Sequence, residues 1–410
     1  MAGSLGLTAY RALMRRGEVR PRAEGPVRPL GELLWVHAAE PGSLLAIQDL
    51  AARLRMTRPG INVLVTLPEQ TQPERSRSDA FFDGQLCETV PEEHPDSVAA
   101  FLDHWQPDTC IWVWGGLRPN LVLATAGRNC PMFLIDADTG GFDGRRDRWL
   151  PDVLRNMLPA FDAVLARSSS SARRLIELGL TRDQVEVTSP LLAGGQALNC
   201  PDQDVADFSA AVVGRTVWFA NAVQPNELQT VFHAHRQALR LSHRLLLVLR
   251  PADGQNAADV MAEAKANEFR VLSWGDGPYP DESTQVLIAD DPADVGLFYR
   301  VAPVSFLGSS LIPGTEVCDP FEAAALGSAV LYGPRVGRYL PLYSRLAQAG
   351  AARIVNDADA LGTAVSRLTA PDQAAAMAHA GWDVISQGAE LTDHVIDLVQ
   401  DALDERAASK

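Results

Sequence analysis

The sequence predicts an α/β protein built from two doubly wound, Rossmann-like domains in tandem. Three observations predict this fold: the length of the chain, its hydrophobic content, and a repeated alternation of short apolar runs with helical stretches. A chain of 410 residues with 47% hydrophobic residues exceeds the roughly 250 to 300 residues at which a single core stops growing. Short β-rich apolar runs of this kind are typical of parallel strands that helices cover on both faces.

The apolar runs form two groups. The first is "LLWVHA", "INVLVTL", "CIWVW", "MFLIDA", "AVLAR" and "VEVTSP", and the second is "TVWFANA", "RLLLVLRP", "FRVLSW", "QVLIAD", "VSFLG" and "AVLYGP". Residues 191–214 separate them with the Gly, Asp and Pro residues of a linker. Beyond residue 371 the sequence is helical, so we expect C-terminal helices that brace both domains. The predicted divisions are a basic amphipathic segment at 1–24, Rossmann-like domains at 25–195 and 196–385, and a C-terminal helix at 386–410.

The composition excludes several classes of function. The chain has 36 basic and 51 acidic residues, a net charge of −15, so its field repels polyanions and nucleic acid is not an expected partner. Its five cysteines are scattered without C-x-x-C spacing, which fits a reduced cytosolic environment. No run approaches the roughly 20 apolar residues of a membrane span, and no signal peptide is visible. The histidines lack chelating spacing, so we expect no metal and no cofactor.

The N-terminal segment departs from this acidic balance. As a helix it would place apolar side chains on one face with arginines alongside or following, a composition that suits a helix lying on an anionic leaflet. The alternative is a frayed terminal helix that packs on its own domain. The apolar positions are Leu5, Tyr10, Leu13 and Met14, and the arginines are Arg11, Arg15, Arg16, Arg20 and Arg22.

Two stretches of small polar residues follow predicted strands. Gly308, Ser309 and Ser310 end a buried strand, where small residues let a phosphate approach backbone N–H groups; alternatively they only turn the chain. Ser168 begins a run of four serines at a strand-to-helix junction, which predicts an anion site. Helix N-capping by itself would explain one of those serines.

The stretch "DPFEAAALG" reads as the start of a short helix. Asp319 is a good N-cap, Pro320 suits the first helical position, and Glu322 completes a capping-box-like D-x-x-E. Capping alone therefore explains all three residues. A carboxylate that accepts bonds from two hydroxyls is also a normal way to hold a sugar diol, so ligand contact by Glu322 is compatible with the same geometry.

The runs "LLWVHA", "AVLARSSSSARRLIELGLTRDQVEVTSP" and "ADDPADVGLFYRVAPVSFLGSSL", followed by "DPFEAAALGSAVLYGP", resemble the Kdo transferase family in their order and spacing. Enzymes of that family move 3-deoxy-D-manno-octulosonic acid (Kdo) from its cytidine monophosphate (CMP) sugar onto lipid A, and they have the two-domain GT-B fold. The resemblance runs from about residue 33 to residue 365. It implies two domains that face a cleft, the first for the acceptor and the second for the donor.

The resemblance locates the acceptor base on the loop after the first strand. The family phrase W-x-H-A-x-S-x-G-E ends in the Glu that deprotonates the acceptor hydroxyl, and this chain has "WVHAAEPGS", so Ser43 stands at that position. A serine hydroxyl has no pKa near neutrality and cannot replace this base. Glu40 lies on the same loop and is the candidate replacement. The alternative is an acid that only lies in solvent or favours the helix dipole.

Other positions also depart from the family pattern. In "WGGLRPN" Trp114 and Gly116 replace two acids, and in "DADTG" Asp138 replaces an Arg. In "RPADGQN" Ala252 stands where an Arg near the donor phosphate is expected, and Arg250 precedes it by two residues.

The donor side keeps more of the family pattern. The family phrase N-P-L-E contacts the nucleotide, and its Glu, here Glu322, reaches the ribose hydroxyls. The predicted donor-binding residues are Ser168, Arg250, Gly308, Ser309, Ser310, Asp319 and Glu322.

The leading prediction is a glycosyltransferase of lipopolysaccharide biosynthesis. It would transfer Kdo or a related acidic sugar from a CMP-sugar to a lipid A precursor, as a peripheral protein on the anionic inner face of the cell membrane. One alternative is a non-catalytic paralogue that binds a nucleotide sugar or lipid and regulates a true Kdo transferase. Another is a transferase that uses a different nucleotide donor.

Overall fold

The computed structural model divides into two compact units, each with its own sheet. The N-terminal unit comprises residues 1–193 and 387–410, and the C-terminal unit comprises residues 194–386. The structure describes residues 5–16, 26–39, 43–68, 86–138, 151–194, 198–276, 279–313 and 317–408.

The N-terminal unit contains a seven-stranded sheet in the order β3-β2-β1-β4-β5-β6-β7, with every pairing parallel. In the centre of the sheet, Val36 lies opposite Val65 on one side and Ile111 on the other. The strands are β1 (Leu33–His37), β2 (Asn62–Leu67), β3 (Leu86–Thr89), β4 (Thr109–Val113), β5 (Met132–Ala137), β6 (Ala163–Ala166) and β7 (Val185–Val187).

The central strands are apolar and are buried along their whole length, because helices cover the sheet. One layer of the core is centred on Trp35, Trp105 and Trp112, which are fully buried. The helices of this unit that precede its boundary are α1 (Leu5–Met14), α2 (Leu44–Thr57), α3 (Pro95–Trp105), α4 (Pro119–Ala126), α5 (Pro151–Met157) and α6 (Ser169–Glu177).

The C-terminal unit repeats this architecture. Its sheet also has seven strands, in the order β10-β11-β9-β8-β12-β13-β14, and all pairings are parallel. The strands are β8 (Val217–Val223), β9 (Leu246–Pro251), β10 (Val271–Ser273), β11 (Val286–Ile288), β12 (Val304–Leu307), β13 (Ala329–Tyr332) and β14 (Ala352–Ile354). The helices are α7 (Asp202–Ala211), α8 (Leu228–Leu239), α9 (Ala257–Ala266), α10 (Val295–Val301), α11 (Pro320–Ala325), α12 (Leu340–Gln348), α13 (Ala358–Leu368) and α14 (Pro371–Ala408), which continues into the N-terminal unit.

The sheets confirm the predicted α/β class with two doubly wound domains. All twelve apolar runs form strands, but the sequence reading missed β3 and β14. Both are edge strands. Residues of β3 are only half-buried, and Arg353 and Ile354 of β14 are exposed. An edge strand needs no continuous apolar run, so its sequence carries little signal.

The C-terminal region is a single helix, whereas the sequence suggested several. α14 runs without a break from Pro371 to Ala408, and its residues from 387 onward belong to the N-terminal unit. Gly388 keeps the helix close to the chain before the boundary, because a Cβ there would lie 2.9 Å from the Leu192 carbonyl oxygen. In the described part of the chain no helix, α14 included, combines the length and apolarity that a bilayer span requires.

The N-terminal helix α1 packs on its own unit. Leu7, Tyr10 and Met14 are half-buried, and the Tyr10 hydroxyl donates a hydrogen bond to Glu93 Oε2 at 2.9 Å. Leu13 is exposed on the other side. The structure therefore agrees with the alternative prediction for this segment, a terminal helix that packs on its own domain. Arg20 and Arg22 lie outside the described residues.

We predict that α14 stabilises the N-terminal unit through its last turns. Leu403 is buried, so Leu403→Ala should lower the free energy of unfolding by about 2 to 4 kcal/mol. The exposed neighbour Asp401→Ala should change it by less than about 0.5 kcal/mol. Urea unfolding of the full chain measures both values, and equal values for the two variants would contradict this role of the helix.

Candidate functional site

The strand order of each sheet reverses at one point, between β1 and β4 in the N-terminal unit and between β8 and β12 in the C-terminal unit. In open α/β sheets ligands bind beyond the carboxyl ends of the strands at such a point. The loops after these strands hold Ser43, Trp114 and Gly308. The topology therefore brings several sequence-predicted residues to a binding edge in each unit.

His37 ends β1 and is a buried core side chain. Its Nδ1 lies 3.0 Å from Thr66 Oγ1, and its ring contacts Trp112 with centroids 4.2 Å apart. Burial, with a smaller effect of the Arg118 charge, lowers the pKa of His37 to about 3. The imidazole is therefore neutral at physiological pH.

The predicted acceptor loop follows His37. Glu40 lies outside the described residues. Ser43 is the N-cap residue of α2 and makes no side-chain capping bond. Across from this loop, Gly115 has a φ of +119°, and a Cβ there would lie 2.9 Å from the Ala39 Cβ. Glycine at this position lets the loops after β1 and β4 approach each other.

Sequence reasoning missed Glu93, which supports the same edge. Its carboxylate accepts bonds from Asn120 N at 2.8 Å and Leu121 N at 3.2 Å, and so caps α4 from another segment. Burial raises the pKa of Glu93 despite these bonds and the bond from Tyr10. Two acids of the family pattern are replaced just before α4, and Glu93 supplies a carboxylate at the start of that helix. No local signal indicated this, because the two segments meet only in the fold.

Ser168 is the N-cap residue of α6. Its hydroxyl oxygen accepts a bond from Ser171 N at 3.1 Å, and the Ser171 hydroxyl donates to Asp138 Oδ1, also at 3.1 Å. The junction therefore already faces a carboxylate, which disfavours an added anion. Ser168 belongs to the N-terminal unit, whereas the other residues predicted to bind the donor belong to the C-terminal unit.

The β12 loop, residues 308–311, is held by a buried carboxylate. Glu227 Oε2 accepts bonds from Ser309 N at 2.6 Å and from Gln224 N at 3.1 Å, and Glu227 Oε1 accepts from Leu311 N at 2.8 Å. The sequence led us to expect these loop N–H groups to receive a phosphate. In the structure two of them are bonded to a side chain of the same chain.

The small residues of this loop are explained by close packing. A Cβ at Gly308 would lie 2.7 Å from the Ala222 carbonyl oxygen, so the β12 loop runs directly against the end of β8. Ser309 has a φ of +56°, which the bonds to Glu227 and Ala222 hold in place. Ser310 bridges the chain by donating to Leu307 O at 2.5 Å and accepting from Gly333 N at 2.7 Å.

Arg250 lies near the end of β9, next to β8, and is buried. Its Nη1 donates to Asn221 Oδ1 at 3.3 Å and its Nη2 donates to Asp253 Oδ1 at 2.5 Å. Asn221 is fixed in turn, because its Nδ2 donates to the Tyr299 hydroxyl at 2.8 Å. The Arg250 Nε is buried and has no hydrogen-bond partner among the described residues.

Glu322 lies in the first turn of α11, after the N-cap Asp319, whose Oδ1 accepts from Phe321 N at 2.8 Å. The Glu322 carboxylate makes no hydrogen bond to the described part of the chain, so it does not close the capping box. Burial and then the Asp319 charge raise the pKa of Glu322 to about 7, while Arg250 acts in the opposite direction.

The C-terminal edge therefore combines a carboxyl group and a guanidinium that both retain hydrogen-bonding capacity. A carboxylate can accept from a diol, and a guanidinium can donate to an anion. These are the groups that a sugar phosphate requires. Among the described residues no cluster of three or more metal-ligating side chains is present.

Residues 11–192 match the family described as 3-deoxy-D-manno-octulosonic-acid transferase (kdotransferase).

Relatives named 3-deoxy-D-manno-octulosonic acid transferase cover most of the chain. The protein from Haemophilus influenzae is 24% identical, over 90% of this chain and 87% of its own length. That from Bordetella pertussis is 28% identical, over 94% of this chain and 90% of its own length. Among solved structures, the C-terminal CMP-Kdo binding domain of WaaA from Acinetobacter baumannii covers 46% of this chain and 98% of its own, at 19% identity and a TM-score of 0.39.

The two doubly wound units, each with a binding edge, have the architecture that the sequence predicted. The matches confirm the resemblance predicted from the sequence. The chain is a divergent relative of the Kdo transferases, and the prediction of a glycosyltransferase of that type is confirmed.

We predict a pH dependence of stability that Glu322 causes. Because folding raises its pKa from 4.5 to about 7, its contribution to the free energy of unfolding is complete below pH 4.5 and is lost as the pH rises through 7. Glu322→Gln should therefore flatten the fall in the free energy of unfolding across this range, as measured by urea unfolding.

Two further variants test the cause. Asp319→Asn should move the fall to lower pH, because it removes the charge that raises the pKa of Glu322. Glu282→Gln, at an exposed position, should leave the profile unchanged. The assignment is contradicted if Glu322→Gln and wild type give the same profile.

Proposed function

We propose that the protein transfers Kdo, or a related acidic sugar, from a CMP-activated donor to a lipid A precursor. One observation carries this proposal. The Glu322 carboxylate and the Arg250 Nε lie without hydrogen-bond partners among the described residues, near the binding edge of the C-terminal sheet, in a chain that resembles Kdo transferases along most of its length.

On the donor side, Glu322 accepts the ribose hydroxyls of the nucleotide. Its place at the start of α11 supports this role, because Asp319 already caps the helix and leaves the Glu322 carboxylate unused. Asn221, which accepts a bond from Arg250, also donates to the Tyr299 hydroxyl.

On the acceptor side, Glu40 acts as the base. The acceptor hydroxyl oxygen forms a bond to the anomeric carbon, the bond from that carbon to the CMP phosphate oxygen breaks, and Glu40 takes the hydroxyl proton. Glu93, Asp136 and Asp138, acids of the same unit, each accept hydrogen bonds within the chain. Glu40 is also the only acid in the sequence of residues 38–43, the loop that holds the family's base position.

We predict that Glu40→Gln lowers the turnover of CMP-Kdo with lipid IVA, a lipid A precursor, by roughly 10²- to 10⁴-fold, as expected for a positioned general base. CMP binding, measured by calorimetry, should not change. Glu92→Gln, at an exposed acid of the N-terminal unit, should keep full turnover. Turnover that survives Glu40→Gln would remove Glu40 from the mechanism.

A second candidate function is a non-catalytic paralogue that binds a nucleotide sugar and regulates a true transferase. Ser43 at the family's base position favours it, as does Asp138, which accepts a bond from Ser171 at the family's Arg position. Wild-type protein that binds CMP without any turnover would support this candidate. Wild-type turnover would exclude it.

The acceptor is a lipid, and α1 supports a position of the protein on the inner face of the cell membrane. The inward side of this helix, with Tyr10, packs on its own unit, whereas Arg11, Leu13, Arg15 and Arg16 are exposed. The exposed side combines positive charge with one apolar side chain, a composition that an anionic leaflet attracts.

We predict that replacing Arg11, Arg15 and Arg16 together by Gln weakens binding to anionic vesicles by about a hundredfold, since each arginine contributes about 1 kcal/mol near such a surface. Vesicle co-sedimentation measures the change. A control with Arg240, Arg353 and Arg367 replaced by Gln removes the same charge from exposed positions of the C-terminal unit and should bind as wild type does. Equal binding by both triple variants would exclude α1 as the membrane contact.

A further inference from the structure

A chain of hydrogen bonds connects α1 to the start of α4. The Tyr10 hydroxyl donates to Glu93 Oε2 at 2.9 Å, and the same oxygen accepts from Asn120 N at 2.8 Å. The other carboxylate oxygen accepts from Leu121 N at 3.2 Å, and the Glu93 carbonyl oxygen accepts from Asn120 Nδ2 at 2.7 Å. A single residue therefore holds α1 and the first turn of α4 at the same time.

The Glu93 carboxylate depends on these bonds. It is half-buried, and burial raises its pKa, while the bond from Tyr10 is one of those that act against the rise. Arg118, just before α4, adds a positive charge nearby, and its Nη1 donates to Pro91 O at 3.0 Å. Loss of the Tyr10 bond would leave the carboxylate less well compensated and would weaken its hold on α4.

The start of α4 is connected in turn to the acceptor loop. The β4 loop, residues 114–118, joins β4 to α4. A Cβ at Gly115 would lie 2.9 Å from the Ala39 Cβ, and one at Gly116 would lie 3.4 Å from the same atom. The Gly115 carbonyl oxygen accepts from Trp112 Nε1 at 3.2 Å, so the loop is held at its β4 end. Its other end is held by the first turn of α4, and thus by Glu93.

α1 has little stability of its own. It has 10 residues, and isolated helices shorter than roughly 12 to 15 residues are marginal in water. Its inward side chains are only half-buried, whereas Arg11, Leu13, Arg15 and Arg16 are exposed. A surface that binds this exposed side only when the segment is helical would stabilise the helix. It would thereby also stabilise the position of Tyr10.

We propose that Tyr10 is a positioning residue of the N-terminal binding edge: when α1 lies on an anionic leaflet, the bond from Tyr10 to Glu93 keeps the start of α4 and the β4 loop in place. This inference rests on the proposed function, in which α1 contacts the inner face of the cell membrane and the N-terminal unit receives a lipid acceptor. The consequence is that this edge is most ordered at the surface where its acceptor is found.

The test is hydrogen exchange of the full chain, measured by mass spectrometry on peptides that contain residues 114–121. Vesicles of phosphatidylglycerol should slow this exchange in wild type. Tyr10→Phe keeps the ring and removes the hydroxyl. Without vesicles it should speed the exchange roughly tenfold, the size of a lost hydrogen bond to a charged group, and it should abolish the slowing by vesicles. Thr8→Ala removes a hydroxyl from an exposed position of α1 and should behave as wild type does.

Two controls separate this coupling from loss of structure and from loss of membrane binding. Exchange in β1 and in the C-terminal unit should be the same for Tyr10→Phe and wild type, which shows that the variant is folded. At saturating lipid, Tyr10→Phe should co-sediment with the vesicles as wild type does, because the exposed arginines of α1 remain.

The outcomes distinguish this inference from the proposed function. If wild type co-sediments but vesicles do not slow its exchange at residues 114–121, the inference is wrong and the proposed membrane position stands. The same conclusion follows if Tyr10→Phe keeps the slowing. If wild type does not co-sediment, the membrane position in the proposed function fails, and the inference fails with it.

Discussion

Parallel strand pairing is the constraint on which the rest of this structure depends. Every pairing described in the two sheets is parallel, so each strand must be followed by a crossover before the next one enters. All carboxyl ends of a sheet then lie along one edge, and the order of strands decides which loops are neighbours there. The reversals beside β1 and β8 bring together loops that are far apart in the chain.

At the C-terminal edge, this arrangement buries polar groups that then need hydrogen-bond partners within the protein. The end of β8 lies so close to the β12 loop that only Gly308 fits, and the loop's N–H groups are then shielded from water. Glu227 supplies the acceptors that these groups need. The buried Arg250 Nε, by contrast, has no hydrogen-bond acceptor among the described residues. The Glu322 carboxylate likewise accepts no hydrogen bond from the described part of the chain. Because buried polar groups in folded proteins are normally paired, these two groups are available for bonds to a ligand.

The N-terminal edge shows how a divergent relative can change its pattern while it keeps its fold. Two acids are absent before α4, yet Glu93 caps that helix from a distant segment and also anchors Tyr10 of α1. Asp138 takes the place of an Arg and accepts a bond from Ser171. Glu93 and Asp138 are thus both hydrogen-bonded within the N-terminal unit.

The sequence by itself determined the α/β class, the two-domain organisation and the central strands, because fully buried parallel strands need continuous apolar runs such as "LLWVHA" and "VSFLG". It also indicated the N-caps Asp319 and Ser168, since capping depends on residues only two or three positions apart. Only the tertiary structure decided that β3 and β14 complete the sheets, that Glu93 supports α4, and that Glu227 occupies the N–H groups of the β12 loop. The contacts of Glu93 and Glu227 with these backbone donors join residues 27 to 84 positions apart, and local patterns carry no information about which distant side chain will meet a backbone donor.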